Sequence, residues 1–168
     1  MALEFFQRLD AAGKALVPAL LSSFLIILTL LPLRAPEVAP LTPALGLTAV
    51  YYWAVFRPDL LPAWLAFLLG LLQDLLTGAP LGTGVILLVS MHFFVAAQRK
   101  IFVNPSFTML WVFFGLFAAA SLLLSWSVGS LLVGQLPDVR MFFLHYVLTV
   151  GAYPCLAWLF GRVQQLLL

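Results

Sequence analysis

The stretch Arg57-Pro-Asp-Leu-Leu-Pro-Ala-Trp-Leu-Ala-Phe-Leu-Leu-Gly70-Leu-Leu-Gln-Asp74-Leu-Leu-Thr-Gly78-Ala-Pro-Leu-Gly82 decides how this chain is read. Residues 60–76 form an almost wholly apolar run whose polar side chains are Gln73 and Asp74. Breakers bound it on both sides, Arg57-Pro-Asp59 before it and Thr77-Gly-Ala-Pro80 after it. A run of this kind reads as a helix solvated by lipid, provided that the rest of the chain agrees.

The composition agrees. Of 168 residues 64% are apolar and 8% charged, and the mean hydropathy is +1.14. Soluble domains hold roughly 45–50% apolar and about 25% charged residues, so a soluble fold could not hide this much apolar surface. The length suits one membrane domain with no soluble enzyme attached.

Five further apolar runs cover residues 15–33, 41–56, 81–98, 107–132 and 141–161. A spanning helix takes about 20 apolar residues, with a range near 17–25. The expected fold is therefore an all-α integral membrane protein, a six-transmembrane-helix bundle in a single domain over residues 1–168. The runs at 41–56 and 60–76 are the shortest and are compatible with tilted or re-entrant segments. Tyr51-Tyr52-Trp53 reads as an interfacial aromatic set. Gly151 and Pro154 make the last helix the one expected to bend.

Residues 1–14 read as a cytoplasmic or interfacial segment rather than a cleaved leader, because Glu4 and Asp10 interrupt a basic n-region. Phe5, Phe6, Leu9 and Ala12 can share a face, with Glu4–Arg8 and Asp10–Lys14 as i,i+4 pairs. Orientation follows from Lys and Arg. With the N-terminus inside, six of the eight basic residues (Arg8, Lys14, Arg57, Arg99, Lys100, Arg162) are cytoplasmic, and two (Arg34, Arg140) are outside. Both termini are then expected in the cytoplasm.

Few residues suggest chemistry. The basic residues are scattered, which excludes a nucleic-acid surface. Cys155 is the single cysteine, so no intrachain disulfide forms, and no Cys/His grouping suggests a metal. Asp74 is the one acid within a predicted span. A charge at mid-membrane costs about 2.5–3.5 kcal/mol on the insertion scale. Ala66, Gly70, Asp74 and Gly78 recur at steps of four, and small residues at that spacing let another helix come close. Asp74 then faces protein. Either it accepts hydrogen bonds from the amides that open the following helix, near Leu81–Gly84, or it serves as a proton or substrate site. His92 and His145 fall in spans and are too few to hold a metal with a distant aspartate. Ser90 lacks the glycine-flanked turn of a serine nucleophile, and no second acid in a span pairs with Asp74 as an aspartyl protease would need. No catalytic residues, metal site or cofactor are expected.

The quoted stretch resembles the signature of the rod shape-determining protein MreD family, and Tyr51-Tyr52-Trp53 ahead of Arg57-Pro58 fits it too. The resemblance implies a non-catalytic inner-membrane member of the bacterial cell-elongation machinery. It implies partnership with MreC, whose bulk is periplasmic, and through the complex with the actin-like MreB filament, the glycosyltransferase RodA and a penicillin-binding transpeptidase. The family is also similar in fold to the substrate-binding subunits of energy-coupling-factor vitamin transporters. The residues it marks as structural or partner-contacting are Arg57, Pro58, Gly70, Asp74, Gly78 and Gly82.

Two functions follow as expectations. One is a scaffold that meets partners and membrane lipids within the bilayer and helps organise lateral peptidoglycan synthesis. Its contact surfaces would be small-residue faces such as Gly70, Gly82 with Gly84, or Ala118-Ala-Ala-Ser121. The other is a small-molecule carrier subunit with a polar pocket bounded by Asp74, His92 or His145.

Overall fold

The computed structural model describes residues 16–29, 44–98, 106–133 and 138–167. They form six helices: α1 (Leu16–Thr29), α2 (Leu45–Phe56), α3 (Ala63–Thr77), α4 (Thr83–Ala97), α5 (Phe107–Val133) and α6 (Val139–Leu167). No strand occurs among the described residues. The N-terminal segment, with its two i,i+4 pairs, and the linkers holding Arg34, Arg99 and Lys100 lie outside them.

Helix α2 is the hub. It packs against α3, α4, α5 and α6, and Gly46 brings it against Ile26 of α1. Every residue from Gly46 to Ala54 is buried, as expected of a helix that is apolar all round. Tyr51, Tyr52 and Trp53 are accordingly enclosed by protein rather than set out as an interfacial belt. Tyr51 lies 5.3 Å from Phe114 and 5.7 Å from Tyr153, ring centre to ring centre. Phe114 and Tyr153 stack at 4.6 Å. Each such pair adds about 0.5–1.5 kcal/mol beyond its buried area. The Tyr51 hydroxyl donates to the Leu110 carbonyl at 3.0 Å, tying α2 to α5.

Helix boundaries follow local chemistry. Pro62 precedes α3 and Gly82 precedes α4, so these helices start two or three residues later than their apolar runs. Helix α6 continues through Pro154 and past Gly161 to Leu167. There Gln164 accepts a hydrogen bond from the Tyr52 hydroxyl at 3.2 Å, and Arg162 lies over the Trp158 ring.

The burial pattern is inverted relative to a soluble fold. Asp74, Ser22, Thr48, Ser121 and Thr149 are buried, while Leu20, Trp64, Leu116, Leu131 and Trp158 are each more than 60% exposed. A contiguous apolar exterior of this kind does not persist in water. Two helical segments, Phe107–Leu131 and Val139–Leu166, are long and apolar enough to cross a membrane. The other four helices are apolar but shorter.

Candidate functional site

The hairpin between α3 and α4 gathers most of the polar chemistry marked in the sequence. Gly78 ends α3 with φ +67° and Gly82 precedes α4 with φ +103°, both in the left-handed region. Two positive-φ glycines within five residues reverse the chain tightly, which residues with a Cβ do only with strain. The Thr83 hydroxyl and amide both donate to the Pro80 carbonyl, at 2.9 and 3.1 Å.

Asp74 closes this turn from within. Its Oδ2 accepts from the Gly82 amide at 2.8 Å and its Oδ1 from the Gly84 amide at 2.7 Å. The side chain is 2% exposed. The first amides of a helix have no partner in the helix itself and carry partial positive charge. A carboxylate spanning two of them satisfies the orphan donors and compensates its own burial.

The small residues of α3 set the distance. A Cβ added at Gly70 would lie 2.5 Å from Val85 Cα and 2.8 Å from the Gly84 carbonyl. One added at Gly84 would lie 2.5 Å from Asp74 Oδ1 and 3.0 Å from the Gly70 carbonyl. Backbone therefore meets backbone at this seam, and glycine on both sides lets Asp74 reach the amides. The Gly70 face is consumed by α4 and leaves no room there for another protein. The surface expected at Ala118–Ser121 is divided in the same way, since Ala118 and Ser121 are buried and Ala120 is exposed.

Arg57 and Pro58 do not join this group. They lie in the turn before α3, with the Arg57 amide bonded to the Trp53 carbonyl at 2.8 Å. The 15 residues of α3, about 22 Å of helix, separate them from the hairpin. His92 sits on α4 at the edge of the Phe93 ring. His145 lines a cavity among the helices that neither Asp74 nor His92 reaches. Among the described residues no three His, Cys, Asp or Glu side chains come together.

The residues that sequence reasoning missed are those reaching across the bundle. Gln73, Ser121 and Ser125 line the same cavity as His145, and Thr149 accepts a hydrogen bond from the Ala44 amide at 3.1 Å. Gln73 stood next to Asp74 in an apolar run and was the one signal available.

The family model for rod shape-determining protein MreD matches residues 10–163, nearly the whole chain. No curated protein and no solved structure matches it.

Proposed function

Because the chain belongs to the MreD family of rod shape-determining proteins, we propose that it is a non-catalytic scaffold of the cell-elongation machinery. It spans the inner membrane six times with both termini in the cytoplasm, in a bundle like those of energy-coupling-factor transporter subunits. It binds MreC and, through the complex, works with MreB, RodA and a penicillin-binding transpeptidase.

The observation that carries this reading is the inverted surface. Polar groups are used inside, at the Asp74 hairpin, and apolar side chains point outward from the five helices that surround α2. A chain built this way meets its partners through side chains in lipid. Most of the apolar length of the two long helices, α5 and α6, lies outside the buried core. Leu116, Leu123, Phe143 and Val147 stand outward on them and offer apolar side chains to a single-span partner. The Gly70 seam is already filled by Val85, so MreC docks elsewhere.

Six spans also accommodate the short helices. The 15 residues of α3 and of α4 give about 22 Å, against about 30 Å of hydrocarbon. Leu60 and Leu61 before α3 extend its apolar length beyond the helix itself. Non-helical backbone is tolerated at membrane depth where protein surrounds it.

The test is depletion in the native cell with microscopy, paired with detergent co-purification. Rounding of rods on depletion and recovery of MreC with the tagged chain are expected. Unchanged shape with no MreC recovered would overturn the proposal.

A further inference from the structure

All six helices contribute to one partly enclosed cavity of about 200 Å³. It lies at the end of the bundle that holds the Thr77–Gly82 turn. Its polar lining is Thr29 of α1, Gln73 and Thr77 of α3, Ser121 and Ser125 of α5, and His145 of α6. The remaining wall is aliphatic, including Ile26, Leu47, Leu88 and Leu122.

The hydrogen bonds within the wall state what it offers. Thr29 Oγ1 donates to the Leu25 carbonyl at 2.9 Å, Thr77 Oγ1 to the Gln73 carbonyl at 2.8 Å, and Ser121 Oγ to the Phe117 carbonyl at 2.8 Å. Each hydroxyl has spent its proton within its own helix and keeps oxygen lone pairs. The Gln73 side-chain carbonyl adds a further acceptor. The Gln73 amide also carries N–H donors and the Ser125 hydroxyl can donate or accept, so the wall offers acceptors with a few donors, a mixture that hydroxyl groups, each both donor and acceptor, can meet. Among the described residues no Asp, Glu, Lys or Arg lines it, and the neighbouring Asp74 carboxylate is held by Gly82 and Gly84. These described residues would give a full charge of either sign no compensating partner. The size limits the occupant too. A dry cavity of about 150 Å³ takes one benzene, so this one takes a single six-membered ring or a group of similar bulk.

We propose that this cavity binds a neutral, hydroxyl-rich group of about monosaccharide size, seating its hydroxyls on Gln73, Thr77 and Ser121 and its C–H face on the leucines. The group arrives either as a free polyol or as the head of a neutral lipid. The inference stands apart from the scaffold role and does not depend on MreC.

The experiment uses the full chain purified in an amine-oxide detergent, which carries no sugar. Thermal unfolding is followed during titration with glucose, with octyl glucoside below its micelle concentration, and with octyl phosphocholine at matched concentration. A rise of about 5 °C at saturation is expected. A rise with glucose assigns a free polyol. A rise with octyl glucoside alone assigns a lipid-borne head. The Ser125→Phe variant, which fills the cavity, should abolish the rise while its ligand-free unfolding temperature stays near that of the parent chain. Gln73→Met keeps the shape of the side chain and should weaken binding about tenfold, which decides the matter if Ser125→Phe does not fold. No rise with either glucose or octyl glucoside, an equal rise with octyl phosphocholine, or full binding in both variants would overturn the proposal.

Discussion

Trp111 of α5 donates its indole N–H to the Val150 carbonyl of α6 at 3.0 Å. Val150 is four residues before Pro154, which lies inside the helix and has no amide proton to return. The carbonyl that Pro154 leaves without its helical donor is thus served from the neighbouring helix. In lipid an unsatisfied carbonyl costs more than in water, so this pair fastens α5 to α6 where α6 is weakest. Trp111→Phe should lower stability by about 1–2 kcal/mol, read as the unfolding midpoint in detergent. In a Pro154→Ala background the helical amide is restored and the same change should cost markedly less. Equal costs in both backgrounds would show that the bond does not serve the orphaned carbonyl.

Asp74→Asn tests the cap. The amide side chain can accept one of the two hydrogen bonds but turns an N–H donor toward the other backbone amide, and it loses the charge. Hydrogen bonds to a charged group contribute about 1.5–3 kcal/mol. The expected outcome is a lower level of protein in the membrane, with rod shape lost in proportion. A normal level with lost shape would instead assign Asp74 a role beyond holding the hairpin.

The glycines should separate by their surroundings. Gly70→Ala drives a methyl group against the Val85 backbone, and a close backbone contact cannot be relieved by a rotamer change. The expected loss is about 1–3 kcal/mol. Gly82→Ala forces an L-residue to φ +103° and should cost about 1–3 kcal/mol through backbone strain. Gly151→Ala places its Cβ in open space within α6 and should stabilise by up to about 1 kcal/mol through helix propensity. Unfolding midpoints of the three variants check the opposite signs.

These contrasts also mark what the sequence could carry. Asp74 and its amides are eight and ten residues apart, so the hairpin was readable from one segment, as were the glycines at steps of four. The aromatic triplet was not. Hydropathy treats lipid and protein interior alike, so Tyr51, Tyr52 and Trp53 read as a membrane belt while they are enclosed by α2's neighbours. Pro154 was visible, but not that Trp111, 39 residues from Val150, would answer it. The cavity was the least legible feature. Gln73, Ser121 and His145 are each unremarkable in an apolar run, and only the packing of distant helices brings them together.

The topology itself gives the last prediction. Asp59 and Leu81 are both exposed and lie at opposite ends of α3, so six spans with an internal N-terminus place them on opposite sides of the membrane. Cys155 is the single native cysteine, and Cys155→Ala gives a thiol-free background. In that background Leu81→Cys should react with a membrane-impermeant maleimide in right-side-out vesicles, and Asp59→Cys only in inverted ones. If α2 and α3 instead formed a re-entrant pair, the turn at Asp59 would not reach the opposite face. Asp59→Cys would then label from the same side as Leu81→Cys or from neither. The loops carry the distinction because α3 holds no Lys or Arg that would fix its direction by charge.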